Sequence, residues 1–303
     1  MVNLPIPVSR DDFLETLTSD LRAENSIRAY EADWRKFVAW CEASGEASLP
    51  ADPETVVSYL AERLSAGAAK NTVTRAVSGI AYAHREAGVK DPTESLLVRH
   101  ARANVRKIKR PARRAKPCTV DVLRRGLPTG AGIQDVRDKA LLLVGFGAGL
   151  RRSEIAALSE GDIEVHEEGL LVRIHASKTN RDADVVGIHR GVHTDTDPVC
   201  AYEAWMQARA GYAVQVDGLG SPVFVNYTGA RISDRTVYSV VRARLGEAYS
   251  PHGALRSGMI TAAAKQGADA TKISFTSRHA SYPVLKGYIR PATLFDNTVH
   301  LGL

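Results

Sequence analysis

Residues 169–188 read GLLVRIHASKTNRDADVVGI, and here the spacing of apolar residues differs from that of the rest of the chain. Two runs rich in Val, Ile and Leu, 169–176 and 183–188, flank the polar sequence SKTNRD, a pattern typical of a β-hairpin. Elsewhere the apolar residues recur at helical spacing. The sequence therefore predicts a mainly α protein with a small β-hairpin or sheet.

Helical patterns lie on both sides of this predicted hairpin. Upstream they cover 119–125, 138–146 and 152–158. Downstream the pattern is helical again from Asp197 onward, apart from the short extended run PVFVN at 222–226. Together with the hairpin, these segments predict one domain of mixed helices and strands.

The first hundred residues carry helical signals only. Each predicted helix begins at a recognisable signal. The signals are a capping box formed by Ser9 and Asp12, a cap at Asn25 or Ser26, Pro53, the pair Asn71-Thr72, and Thr93. The last of these helices continues into a basic segment. These signals predict an N-terminal all-helical bundle.

Residues 99–116 form that basic segment, RHARANVRKIKRPARRAK, with nine Lys or Arg residues and no Asp or Glu. The whole chain has 40 Lys and Arg against 34 Asp and Glu. Because nine of the basic residues and none of the acidic ones lie in this segment, the excess of positive charge is concentrated here. A concentrated basic segment favours a polyanion partner, because each cation that neutralises a phosphate releases a condensed counterion. A solvated linker or surface helix is the alternative interpretation. The candidate contacts are Arg99, Arg102, Arg106, Lys107, Lys109, Arg110, Arg113, Arg114 and Lys116.

Two prolines, Pro111 and Pro117, bracket the end of the basic segment. Proline disfavours helix at itself and at the residue before it, so a domain boundary is expected here. We predict a helical domain over 1–103, a basic linker over 104–117 and a second domain over 118–303 that ends in a tail, 291–303.

Several classes of protein are disfavoured. The longest apolar run, 140–150, is well short of the ~20 residues needed to cross a bilayer, and the N-terminus lacks the pattern of a secretory signal. Cys41, Cys118 and Cys200 are scattered without metal-ligand spacing and suit a reducing cytoplasm. No Walker A, paired-histidine or GxSxG motif occurs. We therefore expect no membrane partner, no metal and no cofactor.

Three glycines, Gly145, Gly147 and Gly149, follow an apolar run and invite comparison with a dinucleotide-binding loop. The third glycine of that fingerprint is replaced by Leu150, and no βαβ pattern surrounds the run. A nucleotide-binding function is therefore not predicted.

Ionisable residues with possible chemical roles are spread along the second predicted domain. The motif GAGLRRSEIAAL places Arg151 at a helix start with Glu154 one turn later. The motif ASKTN places Lys178 in the turn of the predicted hairpin. Taken singly, an arginine such as Arg151 is more often a surface or N-capping residue than a catalytic one, and a lone lysine in a turn is more often simply solvated.

Two later motifs complete the series. SPHGALRSG holds His252 and Arg256, and SRHASYPVLKGYIRP holds His279 and Tyr288. With these motifs in this order, the chain resembles the tyrosine recombinases, also called the phage-integrase family, over nearly its whole length. The resemblance implies a helical core-binding, SAM-like bundle, a basic linker and an α+β catalytic domain, in the layout of the Cre-like and Xer-like members.

The resemblance also implies roles for individual residues. They are the two catalytic arginines, Arg151 and Arg256; the acidic residue of the first motif, Glu154; the hairpin lysine, Lys178; the histidine near the second arginine, His252; the later histidine, His279; and the nucleophile, Tyr288. The 23 residues from Arg256 to His279 and the nine from His279 to Tyr288 are the separations that the family uses.

One position departs from the family pattern. The family's histidine lies three residues before the second arginine, where this chain has Gly253, whereas His252 lies four residues before Arg256. We interpret Ala254 as a one-residue insertion. The role of His252 depends on a local bulge that aims it into the site.

The residue types suit cleavage of a phosphodiester without a metal. Two planar guanidinium groups can neutralise a pentacoordinate transition state, because each binds two phosphate oxygens. Tyrosine, with an ordinary pKa of ~10, needs nearby cations and a proton acceptor, for which His252 is the candidate. Lys178 would protonate the departing 5′-hydroxyl as general acid. His279 would hydrogen-bond a nonbridging oxygen, and Glu154 would orient Arg151 or its helix.

The resemblance thus implies a site-specific DNA recombinase that works through a 3′-phosphotyrosine intermediate and a Holliday junction. We expect double-stranded DNA as partner, self-association to a tetramer on DNA, and a cytoplasmic, nucleoid-associated location. A catalytically impaired DNA-binding or regulatory protein on the same scaffold is the alternative. Tyr282 is the rival nucleophile, disfavoured because it precedes Pro283 and lies only three residues after His279.

Overall fold

The computed structural model describes residues 24–108, 116–175, 183–249 and 253–279, together with Leu285 and Ile289. The chain divides into two compact units, Met1–Ala112 and Arg113–Leu303. The first helix expected from the sequence, after Ser9, lies outside the described residues. Within the described ranges, no helix is both long enough and apolar enough to cross a membrane.

The first unit is helical throughout its described part, in agreement with the sequence. Its helices are α1 (Glu24–Ser44), α2 (Pro53–Ser65), α3 (Lys70–Glu86) and α4 (Leu96–Lys107). Their apolar stripes meet in one core that includes Phe37, Val56, Tyr59, Leu60 and Ile80. Burial of these stripes, rather than helix propensity, supplies most of the stability of such short helices.

The start of α4 differs from the sequence prediction of a helix from Thr93. A 3₁₀ turn, Pro92–Glu94, comes first, and the Asp91 side chain accepts a hydrogen bond from the backbone N–H of Thr93. The Ser95 hydroxyl then accepts from the N–H of Val98 and caps α4. Helix α4 extends to Lys107 and so includes the first residues assigned to the linker.

The second unit combines helices with a small set of strands. Its helices are α5 (Val120–Gly126), α6 (Ile133–Gly147), α7 (Arg152–Ala157), α8 (Pro198–Arg209), α9 (Asp234–Leu245), α10 (Ala254–Lys265) and α11 (Ala270–Ser277). Its strands are β1 (Ile163–His166), β2 (Gly169–Ile174) and β3 (Asp184–His189). The mainly α fold with a small sheet is therefore confirmed.

The three strands form an antiparallel sheet in the order β1-β2-β3. Strands β2 and β3 pair with Val172 opposite Val186, which confirms the predicted hairpin. Alternate side chains of these two strands are buried, as one covered face requires. The sequence does not predict the short strand β1, because only Ile163 of its four residues is buried and the alternation is absent.

Close packing and a tight turn account for glycines at the end of α6 and before α7. A Cβ on Gly145 would lie 2.7 Å from Cδ1 of Ile155, so helices α6 and α7 approach closely there. Gly149 has φ +55°, and a Cβ there would lie 2.5 Å from Cε of Met259. This tight turn directs the chain into Arg151 at the start of α7.

Candidate active site

Arg151 and Glu154 are positioned by the start of α7. Arg151 is the N-cap residue, and its backbone N–H donates to Glu154 Oε2 at 2.7 Å. Its guanidinium Nη1 also donates to Glu154 Oε1. The Glu154 side chain is only 8% exposed, whereas that of Arg151 is 38% exposed. The carboxylate therefore fixes the end of the helix and holds Arg151 at the surface of the site.

Arg256 lies in the first turn of α10, with its side chain 8% exposed. Its Nη1 donates to the carbonyl of Gly149 at 3.3 Å, and its Nη2 donates to the carbonyl of Arg278 at 3.2 Å. Nη1 also lies 3.8 Å from Glu154 Oε2. The structure thus brings Arg151, Glu154 and Arg256 together, although 102 residues separate Glu154 from Arg256 along the chain.

A third arginine, Arg278, joins this group, and the sequence reasoning missed it. Its Nη2 donates to Glu154 Oε2 at 2.6 Å and its Nη1 donates to the carbonyl of Ala148 at 3.1 Å. The side chain is 5% exposed. The only sequence signal is its position immediately before His279, in a motif that assigns a role to the histidine and none to the arginine.

The buried carboxylate of Glu154 is ionised in this setting. Burial raises its pKa, but the charge of Arg278 and the hydrogen bonds from Arg151 more than offset burial, so the pKa lies below its ordinary value. Three guanidinium groups therefore surround one buried carboxylate. The surplus positive charge suits the site to an anion, and guanidinium groups suit a phosphate in particular.

His279 follows the C-terminus of α11 at the edge of this cluster. Its Nδ1 lies 2.9 Å from the hydroxyl of Ser277, and its backbone N–H donates to the carbonyl of Ser274 at 3.4 Å. Burial, together with the positive charges of Arg256, Arg151 and Arg278, lowers its pKa to about 4. The ring is therefore neutral near pH 7 and can act as a hydrogen-bond donor or acceptor.

Three of the predicted site residues, Lys178, His252 and Tyr288, lie outside the described residues. The described part ends before Lys178 at His175, whose Nε2 lies 2.8 Å from Asp162 Oδ1. Leu285, three residues before Tyr288, is fully buried in a small apolar cluster with residues of α10 and α11.

The predicted DNA contacts are described only in part. Arg99, Arg102, Arg106 and Lys107 lie on α4, and Lys116 follows the gap at 109–115. Four of these five are exposed, while Arg102 is half-buried. Lys109, Arg110, Arg113 and Arg114 lie outside the described residues.

Two family models match the chain. Residues 124–293, more than half of the chain, match the model described as the phage integrase family. Residues 11–87 match the model of the phage integrase N-terminal SAM-like domain. The two matches fall on the two compact units.

Curated relatives extend over most of the chain. A protein named integrase/recombinase xerD homolog, from Selenomonas ruminantium, is 29% identical over 300 residues, covering 92% of this chain and 85% of that protein. The tyrosine recombinase XerD of Bifidobacterium longum is 27% identical and covers 90% of each chain. The recombinase cre of Escherichia phage P1 is 25% identical over 201 residues, 62% of this chain and 58% of its own.

Solved structures share the fold. A lambda integrase dimer bound to a COC′ core site aligns with a TM-score of 0.62 at 15% identity, covering 96% of this chain and 79% of that one. The XerH recombinase bound to a difH substrate before cleavage aligns with a TM-score of 0.57 at 16% identity, covering 80% and 70% of the two chains. At these identities the likeness concerns the fold alone.

Proposed function

This chain belongs to the phage integrase family, and we propose that it cuts and rejoins DNA strands through a covalent 3′-phosphotyrosine intermediate at Tyr288. It is a site-specific recombinase of the tyrosine type. We propose separate chemical roles for its site residues: some bind the phosphate, one attacks it, and others move protons.

In the proposed cleavage step, the Tyr288 oxygen attacks the phosphorus of one phosphodiester. The new bond joins that oxygen to phosphorus, and the bond to the 5′-oxygen breaks. The 5′-oxygen takes up a proton from Lys178, while the phenol proton passes to His252. Rejoining is the reverse reaction, in which a 5′-hydroxyl of another strand displaces the tyrosine. Because a phosphotyrosine stores the energy of the broken bond, no external energy source is required.

The arginine cluster carries this proposal. Arg151 and Arg256 belong to different elements, yet both converge on Glu154 beside a neutral His279. Arg151 and Arg256 would bind the nonbridging phosphate oxygens, and His279 would donate one further hydrogen bond to them. Preorganised donors of this kind stabilise charge as it develops in a transition state. Double-stranded DNA is therefore the proposed substrate.

Placement of the nucleophile is supported by its neighbours. Leu285 and Ile289, on either side of Tyr288 in the sequence, pack with the apolar cluster of α10 and α11. Helix α10 carries Arg256, and α11 leads into His279. The rival Tyr282 remains the weaker candidate on the grounds of its position next to Pro283.

The experiment that tests the proposal is capture of the covalent adduct. A double-stranded half-site with a nick near the cleavage position releases, on cleavage, the short fragment that carries the new 5′-hydroxyl, so rejoining fails and the protein stays attached to DNA. We expect the native chain to form an adduct that survives denaturing electrophoresis, and Y288F to form none while retaining DNA binding. Y282F is the matched control and should cleave normally.

The same assay separates the two candidate functions. A catalytically impaired DNA-binding or regulatory protein would bind the half-site and form no adduct in any variant. An adduct with Y288F, or its absence in Y282F, would contradict the assignment of the nucleophile. Both catalytic arginines enter one cluster with Glu154, and this favours the active enzyme over the impaired scaffold.

A full recombination event requires two duplexes, so we propose that four copies assemble on DNA and exchange strands through a Holliday junction. The tail at 291–303 has apolar residues at Leu294, Phe295, Val299 and Leu301, and we propose that it docks on an adjacent copy. The described surface supports this in one respect: Phe275, on α11 beside the site, is 71% exposed. We place the enzyme in the cytoplasm, with its DNA.

A further inference from the structure

Arg278 stands apart from the other residues of the cluster because the sequence motifs assign it no role. We propose that Arg278 is a positioning residue for strand cleavage: it offsets the charge of Glu154, so that this carboxylate does not draw Arg256 away from the phosphate and the cluster keeps a net positive charge. This inference rests on the proposed active site and adds a third arginine to it.

The backbone of Arg278 provides the first argument. It has φ +51° and ends α11 in the left-handed conformation. Among the described residues it is the only one other than glycine with a positive φ. Residues with a Cβ adopt this conformation rarely, and they keep it where surrounding contacts compensate for the strain. An arginine here points to a function of its side chain, since glycine would fit the backbone better.

The contacts of the side chain provide the second argument. Its Nη1 donates to the carbonyl of Ala148 and its Nη2 donates to Glu154 on α7. Its own carbonyl accepts from Arg256 on α10. Arg278 therefore joins the turn before α7, helix α7 and helix α10, the segments that hold Arg151, Glu154 and Arg256.

The distances to Glu154 provide the third argument. Arg278 Nη2 lies 2.6 Å from Oε2, whereas Arg256 Nη1 lies 3.8 Å from the same oxygen. A buried carboxylate requires a close positive partner. If Arg278 were removed, Arg256 would be the nearest remaining guanidinium on that side, and Glu154 would draw it away from the phosphate.

Charge also favours a third arginine. A phosphodiester carries one negative charge, and the pentacoordinate transition state carries more on its equatorial oxygens. With Arg278 beside Glu154, three guanidinium groups face one carboxylate, and the cluster keeps a surplus of positive charge for that growing charge. Asp184, 3.9 Å from Arg278 Nε, reduces this surplus less than Glu154 does because it is 35% exposed.

The test measures single-turnover cleavage of the nicked half-site. R278G removes the guanidinium and suits the left-handed backbone. We expect cleavage at least about tenfold slower, a change of ~1.4 kcal/mol in the barrier. Half-site affinity should stay within about threefold, because long-range attraction to DNA depends on many charges.

A second substitution separates charge compensation from a merely structural role. In the E154Q background the buried carboxylate is absent and, of the described acidic residues, only the partly exposed Asp184 remains near Arg278, so R278G should cost less than about threefold relative to E154Q alone. R278K, which keeps a charge but not the planar fork, should cleave at a rate between those of the native chain and R278G. If R278G shows no cooperative thermal transition, R278Q and R278Q/E154Q take its place in the same comparison.

The control is R244Q, which disrupts another partly buried arginine network, with Asp135 and Asp138, away from the cluster. It should lower thermal stability and leave the cleavage rate unchanged. The inference is overturned if R278G cleaves within about threefold of the native rate, or if its cost is the same in both Glu154 backgrounds. Failure of the native chain to form any adduct would instead overturn the proposed function.

Discussion

At the residue scale, His279 shows how the cluster controls protonation. Its pKa is lowered from 6.5 to about 4 by burial and by Arg256, Arg151 and Arg278. Because the pKa of the folded state lies below that of the unfolded chain, protonation favours unfolding. Stability from this residue is therefore present above pH 6.5 and disappears as the pH falls towards 4.

We predict that the ring of His279 titrates with a midpoint near pH 4 in the DNA-free protein. The measurement is an NMR titration of the histidine ring protons, with the signal of His279 assigned by its absence in H279Q. The other histidine signals serve as internal controls. A midpoint at or above pH ~6 would show that the three arginines do not act on this ring.

Lys178 yields a second prediction at this scale. In its proposed role as general acid it would supply the proton for the departing 5′-oxygen, so K178A should slow cleavage strongly. A half-site with sulfur in place of the bridging 5′-oxygen should restore the rate, because a thiol with an ordinary pKa of ~8.5 departs as the thiolate without a proton. R256K is the control, since it should be slow on both substrates. Absence of rescue in K178A would remove Lys178 from this role.

At the element scale, helix α7 is short, with six residues, and arginines contact both of its ends. Arg231 donates from Nη1 to the carbonyls of Ala157 and Leu158, each at 2.8 Å, and pairs with Asp217 through Nε at 2.6 Å. Its side chain is 13% exposed. These bonds satisfy the carbonyls at the C-terminal end of α7, which have no partners within the helix.

We predict that R231Q destabilises the second unit by roughly 3 kcal/mol, because several charge-assisted hydrogen bonds are removed together and the carbonyl of Ala157 loses the Arg231 donor. For a domain of this size the thermal midpoint should fall by about 6–12 °C. Scanning calorimetry provides the measurement. The matched control is R242Q, which removes an exposed pair with Glu247 and should leave the midpoint nearly unchanged. An equal shift in both variants would show that Arg231 is not the anchor of α7.

At the scale of the whole molecule, positive charge is concentrated where the chain passes from the first unit to the second. The basic segment at 99–116 lies partly on α4 and continues beyond it, and we propose that it contacts the DNA backbone. Contacts of this kind strengthen binding to every sequence, whereas base contacts select the target.

We predict that changing Arg106, Lys107, Lys109 and Arg110 together to Gln weakens binding to all DNA sequences. The slope of log affinity against log salt should flatten by up to about 0.9 for each phosphate that the variant no longer neutralises. Fluorescence anisotropy over a series of salt concentrations measures it, with R244Q as the control of unchanged slope. An unchanged slope in the fourfold variant would restore the interpretation of a solvated linker.

Local patterns made much of the fold predictable. The apolar stripes that contain Phe37 and Cys41 on α1, or Val73 and Ile80 on α3, indicate which face of each helix is buried. The alternation of buried and exposed side chains in β2 and β3 indicates the covered face of the sheet in the same way. Strand β1 shows no such alternation, because three of its four residues are exposed.

Motif and spacing alone predict Arg151, Glu154, Arg256 and His279 as site residues, and the contact of Arg151 with Glu154 follows from their separation of three residues at the start of one helix. They do not identify Arg278, because its partner Glu154 lies 124 residues away in the chain. Periodicity and motifs report interactions between near neighbours, whereas charge compensation inside a site depends on which distant segments pack together. The amino-acid order therefore determined the helices, the hairpin and the choice of candidate reactive groups. Only the packing of α7, α10 and the end of α11 decided that three arginines share one buried carboxylate, since a buried charge selects its partners by distance in space and not along the chain.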